Sequence, residues 1–118
     1  MAKHSTKDLL YKFINREMVT GFWKFEKIID IHGCGIEGLR CDAVCYRGNK
    51  IIAIVEAKRV LDLKALGQLL GYRELLSRLE GQNPQDIRLF VVCYEAHPLL
   101  VGVFEKFGIG VVQVGKSD

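Results

Sequence analysis

Apolar and polar residues follow two different periods along the chain, and these periods predict helices in some segments and strands in others. Between positions 9 and 14, apolar residues recur every three or four positions, which predicts a helix with one buried stripe. Ser5 or Thr6 can cap this helix, and we expect it to end near Met18. Residues 22–31 are rich in aromatic and β-branched side chains and therefore predict a strand.

The next segment predicts a β-hairpin. Residues 32–38 contain three glycines and are typical of a loop. Residues 39–47 and 50–58 then form two runs with the composition of strands, and only Gly48 and Asn49 lie between them. A two-residue connection that begins with glycine favours a tight turn, so we expect the two strands to pair antiparallel.

The second half of the chain alternates between the two periods. Residues 62–79 carry leucines at helical spacing, and an aspartate at the start can cap that helix. Residues 88–95 form a nearly continuous apolar run, which is typical of a strand buried on both faces. Pro98 suits the first turn of a third helix that ends near Gly108, and residues 109–114 predict a last strand. The order α-β-β-β-α-β-α-β predicts an α/β sandwich with a mixed sheet.

Length and composition narrow the class of protein. The chain has 118 residues, of which 49% are hydrophobic, so we expect one compact domain spanning residues 1–118. No apolar run approaches the roughly 20 residues that cross a bilayer, and no signal peptide is evident at the N-terminus. These features favour an intracellular, cytoplasmic protein that does not bind membranes.

Charge and cysteine usage add two expectations. The net charge is +3 and the positive excess lies in residues 1–64, which suits an anionic partner such as nucleic acid. The four cysteines form no Cys-x-x-Cys pair, so neither structural zinc nor an iron–sulfur cluster is expected. Cys41 and Cys45 have the same parity in a predicted strand, and we expect them to share one face of the sheet.

Three charged residues are expected to meet at one corner of the sheet. Glu56 and Lys58 are two residues apart at the end of an apolar strand, so their side chains point to the same face. Asp42 lies on the other strand of the hairpin, and we expect antiparallel pairing about Gly48 and Asn49 to place it beside the Glu56 end. Two converging carboxylates suit a hard divalent cation, and a neighbouring ammonium group can orient an attacking water. The residues therefore predict metal-assisted hydrolysis of a phosphodiester.

This arrangement resembles a known superfamily of nucleases. Asp42 followed by Glu56-Ala-Lys58 after a hairpin is similar to the site of the PD-(D/E)xK nucleases. Gln68-Leu-Leu-Gly-Tyr72 on the next helix resembles the QxxxY motif of their RecB-like branch. The resemblance implies a restriction-endonuclease-like α/β sandwich and a metal-dependent deoxyribonuclease that acts on DNA.

The resemblance also implies roles for individual residues. Asp42, Glu56 and the carbonyl of Ala57 would bind Mg²⁺ or Mn²⁺, and Lys58 would assist the attacking water. A glutamate of the first helix sometimes completes the metal shell in this superfamily, and Glu17 is the candidate here.

Residues of the following helix have implied roles as well. Gln68 and Tyr72 would line the site and contact DNA or orient other side chains. Arg59, Lys64 and Arg73 would flank the site, where they could contact phosphates.

Simpler structural explanations remain open for most of these residues. The two acids could belong to an ion-pair network with Lys58 and Arg40, and Gln68 and Tyr72 could lie on a solvated helix face. Glu17 could be an ordinary solvated residue at a helix end.

Two other functions stay open beside a general DNA nuclease. Archaeal Holliday junction resolvases are also short and dimeric. In these proteins the spacing between the aspartate and the ExK strand is comparable to that in this chain. A nuclease-fold protein that binds nucleic acid without turnover is the alternative outside the enzymes. A homodimer is expected for the nuclease, because one small chain covers little DNA.

Overall fold

A computed structural model describes residues 2–29 and 39–116. The helices are α1 (Ala2–Asn15), α2 (Leu63–Glu80) and α3 (Pro98–Lys106), and the strands are β1 (Phe22–Ile29), β2 (Leu39–Arg47), β3 (Lys50–Val60), β4 (Arg88–Glu95) and β5 (Ile109–Gln113). This order confirms the predicted α-β-β-β-α-β-α-β sequence of elements. The loop predicted at residues 32–38, and the last two residues of the strand predicted at 22–31, lie outside the described residues.

The five strands form one mixed sheet in the order β1-β2-β3-β4-β5. The first three strands pair antiparallel, whereas β3, β4 and β5 run parallel. Parallel neighbours need crossover connections, and two right-handed crossovers in the same direction put α2 and α3 on the same face. We call this the α2 face. The opposite side, called the α1 face, is covered by Leu9, Leu10 and Phe13 of α1.

The first helix departs from its predicted boundaries. It begins at Ala2, so Ser5 and Thr6 lie within the helix and do not cap it. It ends before Met18, because the last amides bond three residues back and Glu17 has a left-handed φ of 54°. Such tightening followed by a left-handed residue terminates a helix.

The second helix has the predicted start and stop. Asp62 caps it by accepting a hydrogen bond from the backbone N–H of Ala65 at 3.0 Å. Gly81 ends it with a left-handed φ of 65° and donates its N–H to the carbonyl of Ser77. Pro98 occupies the first turn of α3, as predicted. Across residues 2–29 and 39–116, no helix has both the length and the apolar character needed to cross a membrane.

A bulge in the hairpin sets the register of the strands beyond it. Next to the turn Tyr46 pairs with Ile51, but Cys45 pairs with Ala53, so Ile52 is an extra residue in β3. One extra residue shifts all later pairings by one position and reverses which face each side chain takes. Continued past the bulge, this register brings Glu56 level with Asp42.

A second irregularity affects β1 and β2 at the level of Asp42. Cys41 belongs to the core on the α2 face, and Ala43 and Cys45 belong to the core on the α1 face. The prediction that Cys41 and Cys45 share a face is therefore wrong. The break lies at the level of Asp42, and Glu26, which lies across from Asp42 on β1, has a left-handed φ of 51°.

We expect Asp62→Ala to destabilise the protein by about 1 kcal/mol, because the cap of α2 is lost. This loss should lower the melting temperature by about 4 °C in thermal unfolding, whereas Asp62→Ser, which can still accept the amide bond, should lower it much less. Equal losses for the two variants would contradict the capping role.

Candidate active site

Asp42 and Glu56 form a reciprocal pair where β2 and β3 stop pairing. The last paired residues at this end of the hairpin are Ala43 and Val55. Beyond them, the backbone N–H of Asp42 donates to Glu56 Oε1 at 3.1 Å, and the N–H of Ala57 donates to Asp42 Oδ2 at 2.8 Å. Side-chain oxygens thus replace carbonyls as acceptors, which locks the two carboxyl groups side by side.

Burial strongly perturbs this pair. Only 3% of Glu56 is exposed, and burial together with the negative charge of Asp42 raises the pKa of Glu56 to about 8. Burial also raises the pKa of Asp42, although the amide of Ala57 and the charge of Lys58 act in the opposite direction. The pKa of the nearby Cys41 thiol is raised too, by burial and by the charges of Glu56 and Asp42. The site is therefore poorly solvated, and its surroundings disfavour the charged forms of these acids.

Lys58 supplies positive charge to the pair. It follows Glu56 by two residues on β3 and is half-buried. Its charge lowers the pKa values of both Asp42 and Glu56, which places the ammonium group within electrostatic range of the two carboxyl groups. The structure therefore brings together the two acids and the lysine that the sequence singled out.

Tyr72 and Gln68 extend the site from α2. Tyr72 is buried, with 5% of its surface exposed, so a solvated helix face does not describe its surroundings. Burial and the charges of Glu56, Cys41 and Asp42 raise the pKa of Tyr72 to about 12, while a side-chain hydrogen bond with Gln68 opposes this rise. The Oε1 atom of Gln68 is buried and has no hydrogen-bond partner among the described residues. Gln68 thus keeps a free acceptor beside Tyr72.

The structure does not bring Glu17 to the pair. Glu17 follows the end of α1 and lines a surface cavity with Ile52, Asp86 and Arg88. Ile52 is four residues before Glu56 on β3, a separation of about 13 Å along a strand. The expectation that Glu17 completes the metal shell is therefore not met, because α1 ends too early and at the other end of the strand.

Glu26 is the acidic residue that sequence reasoning missed. It lies across from Asp42 on β1, and its charge contributes to the raised pKa of Asp42. The sequence carries no signal for this proximity, because it depends on the pairing of β1 with β2.

The three predicted phosphate-binding cations do not form one cluster. Arg59 is exposed and acts electrostatically on Tyr94, a residue of β4. Lys64 is exposed in the first turn of α2. Arg73 follows Tyr72 on α2 and is half-buried, with an Nε atom that lacks a partner in the described part of the chain. These cations therefore lie at separate points, and Arg59 lies near Tyr94, which packs on the α1 face.

The donor set fits a hard divalent cation. Burial raises the pKa values of both carboxyl groups, and the charge of Asp42 raises that of Glu56 further, so a bound cation would relieve this unfavourable arrangement by taking the place of a proton. No cluster of three or more Asp, Glu, His or Cys residues with metal-binding geometry occurs within residues 2–29 and 39–116. Mg²⁺ usually takes only one or two protein carboxylates and completes its shell with water and phosphate oxygens.

Three solved structures resemble this fold. One is EndoMS in complex with double-stranded DNA (TM-score 0.61, 22% identity, 94% of this chain and 45% of that chain). The second is a repair endonuclease from Pyrococcus abyssi (TM-score 0.62, 21% identity, 93% of this chain and 47% of that chain). The third is EndoMS in its apo form (TM-score 0.57, 20% identity, 92% of this chain and 45% of that chain). The chain thus spans a little under half the length of each.

These similarities concern the fold. No family model and no curated protein matches the sequence. At identities of 20–22%, the structural likeness shows that the chain adopts the restriction-endonuclease-like α/β sandwich that the sequence predicted.

We expect Glu56→Gln to stabilise the metal-free protein at high pH but not at low pH. The folded state retains a proton on Glu56 that the unfolded state releases above about pH 4.5, so the stability contributed by this residue falls as pH rises from 4.5 to about 8. The measurement is urea unfolding in the presence of EDTA. The free energy of unfolding of the variant minus that of wild type should increase by roughly 2–5 kcal/mol between pH 5 and pH 8.5.

Glu74→Gln is the matched control, because it removes an exposed carboxylate on α2. It shows how much the loss of an exposed carboxylate changes the free energy of unfolding, relative to wild type, at each of the two pH values. A gain for Glu56→Gln that is identical at both pH values would contradict the buried, proton-holding state of Glu56.

Proposed function

We propose that this protein is a metal-dependent DNA nuclease that hydrolyses phosphodiester bonds at a PD-(D/E)xK-type site of the RecB-like branch. The observation that carries the proposal is the pair of half-buried Asp42 and buried Glu56, with Lys58 within electrostatic range of both. A carboxylate held at 3% exposure destabilises a fold, so its presence is best explained by chemistry that needs it. The fold shared with structures described as endonucleases supports the same function.

In this proposal the carboxyl pair holds one or more divalent cations. Asp42 and Glu56 each use one oxygen for a backbone amide, which fixes the direction of the other oxygen. The carbonyl of Ala57, between the glutamate and the lysine, would be a further ligand. When bound, Mg²⁺ or Mn²⁺ would neutralise charge on the attacked phosphate and lower the pKa of a nearby water.

The other side chains have supporting roles. Lys58 would orient the attacking water and stabilise the additional negative charge of the transition state. The free Oε1 of Gln68 would accept a hydrogen bond from water or from a substrate group at the site. Tyr72 would hold Gln68 in place and exclude bulk water from the pair.

DNA is the proposed partner. EndoMS is described in a complex with double-stranded DNA, which supports a duplex among the substrates of the present chain. Arg59, Lys64 and Arg73 are proposed to contact phosphates at different points around the site. We also propose that the active form is a homodimer, which light scattering of the purified chain would test.

Lys58→Met should reduce the rate of Mg²⁺-dependent DNA cleavage by at least about 100-fold. A side chain that orients the attacking water and stabilises the transition state contributes a rate factor of that order. Lys50→Met is the matched control, because Lys50 is exposed at the start of the same strand. We expect its activity to equal that of wild type in assays with Mg²⁺, and no cleavage by any form with EDTA. Full activity of the Lys58 variant would contradict the mechanism.

The choice of substrate separates the nuclease from a junction resolvase. The assay should include linear duplex, single-stranded DNA and a four-way junction. Cleavage of the linear forms supports the proposal as stated, whereas cleavage of the junction alone would favour a Holliday junction resolvase.

Metal binding separates the nuclease from an inert nucleic-acid-binding protein. Calorimetry at pH 8 should detect binding of Mg²⁺ or Mn²⁺ to wild type. The Glu56→Gln variant should bind the same metal at least about tenfold more weakly, because it lacks the charge of one ligand. Glu74→Gln should bind as wild type does. Absence of metal binding to the wild-type chain would contradict the proposed function.

A further inference from the structure

Two lysines of the edge strand β1 lie on the α2 face of the sheet. Lys24 pairs with Val44 and Lys27 pairs with Cys41, and both partners belong to the core on the α2 face. Paired residues of antiparallel strands point to the same face, so both lysines do as well. Regular alternation would place residues three apart on opposite faces, but the irregularity at Glu26 lies between these two.

The buried acid of the site points to the same face. Beyond the bulge in β3, Ile54 belongs to the core on the α2 face, whereas Val55 and Ala57 belong to the core on the α1 face. Because side chains alternate along a strand, Glu56 points to the α2 face. Only β2 lies between β1 and β3, so the backbones of these two strands are about 10 Å apart. The lysines therefore lie beside the carboxyl pair, on the side away from β4.

A ring contact holds one of the lysines over the sheet. The Nζ atom of Lys24 lies 5.1 Å from the centre of the Tyr46 ring, and Tyr46 belongs to the core on the α2 face. This contact directs the ammonium group across the face instead of outward from the strand edge. It uses the face of a ring and no oxygen acceptor, so the N–H donors of Lys24 remain able to bond to a ligand.

The positive charge of these lysines is not neutralised within the described residues. Across residues 2–29 and 39–116, neither lysine forms an ion pair with an acid. The acid between them, Glu26, accepts a hydrogen bond from Arg40 Nη1 at 3.4 Å. Arg40 lies between Leu39 and Cys41, which both pack on the α2 face, so it points to the α1 face. The α2 face at β1 thus carries two cations that are available to an anionic ligand.

We propose that Lys24 and Lys27 bind phosphates of the DNA strand that leads into the carboxyl pair, so that the substrate crosses the β1 edge on the α2 face. The inference rests on the proposed nuclease function. Two cations about 10 Å apart along a strand suit a polymer that carries a charge on every nucleotide. Phe22, which pairs with Tyr46 and is 64% exposed, adds an open ring beside the cations. Cations beside an exposed ring are typical of surfaces that bind nucleic acids.

The first test measures binding of a linear duplex with Ca²⁺ in place of Mg²⁺, so that the complex can be titrated separately from turnover. We expect the double variant Lys24→Met, Lys27→Met to bind roughly tenfold or more weakly near 0.1 M salt. The slope of log affinity against log salt should fall by about 1.8, or about 0.9 for each phosphate contact. Methionine keeps an apolar stem over the Tyr46 ring. The double variant with arginine at both positions should keep the wild-type slope.

The double variant Lys7→Met, Lys50→Met is the matched control. It changes the net charge by the same amount, but Lys7 is exposed on α1 and Lys50 is exposed next to the hairpin turn. We expect its affinity and salt slope to stay close to those of wild type. Equal losses in the two double variants would show that only net charge matters and would refute the phosphate contacts.

The second test separates binding from a structural role. The double variant at positions 24 and 27 should melt within about 2 °C of wild type, because its side chains are not part of the core. Its KM for DNA should rise about tenfold while kcat falls less than about twofold, since the lysines bind substrate away from the reacting atoms. A lower melting temperature with an unchanged salt slope would show that these lysines only stabilise the sheet, and the proposal would fail.

A single variant covers the case in which the double variant does not fold. Lys27→Met leaves the contact between Lys24 and the Tyr46 ring in place. We expect it to lower the salt slope by about 0.9 on its own. A wild-type slope for this variant would remove Lys27 from the proposed path of the DNA.

The outcomes also distinguish this inference from the proposed function. If wild type neither binds nor cuts DNA, both are overturned. If wild type cuts DNA with Mg²⁺ and the double variant at positions 24 and 27 keeps the wild-type affinity and salt slope, only the inference about the two lysines fails.

Discussion

The structure depends on the exchange of hydrogen bonds between Asp42 and the segment Glu56–Ala57. At this point the backbone ladder of the hairpin has ended, and two carboxyl oxygens accept the amides that would otherwise lack partners. The exchange joins fold and chemistry in one feature. The same bonds that satisfy these amides also hold the two acids together, where burial and then the charge of Asp42 raise the pKa of Glu56 to about 8.

The surrounding elements maintain this unfavourable arrangement. The α2 helix places Tyr72 over the pair, which removes water and strengthens every charge interaction there. The parallel strands β3 and β4 anchor the segment from the other side, so Glu56 cannot easily turn towards solvent. Local destabilisation of this kind persists only where the rest of the fold supports it, and β3 is the central strand of the sheet, with neighbours on both sides.

Two backbone irregularities determine which side chains meet. The bulge at Ile52 shifts the register of the hairpin, so that Glu56 and not Val55 comes level with Asp42. The left-handed residue Glu26 interrupts the alternation of β1 at the same level and coincides with the separation of Cys41 and Cys45 onto opposite faces. Without these two departures from regular strands, the acids would be placed differently.

The sequence by itself determined the order of the elements, the hairpin at Gly48, the cap of α2 and the choice of Asp42, Glu56 and Lys58. These features depend on local periodicity, turn residues and spacing along one strand. The tertiary structure alone decided the extra residue at Ile52, the early end of α1 that separates Glu17 from the site, and the place of Glu26 across from Asp42. Those outcomes depend on pairing between distant segments, where packing overrides local preference, and no single stretch of sequence records which neighbour a strand will meet.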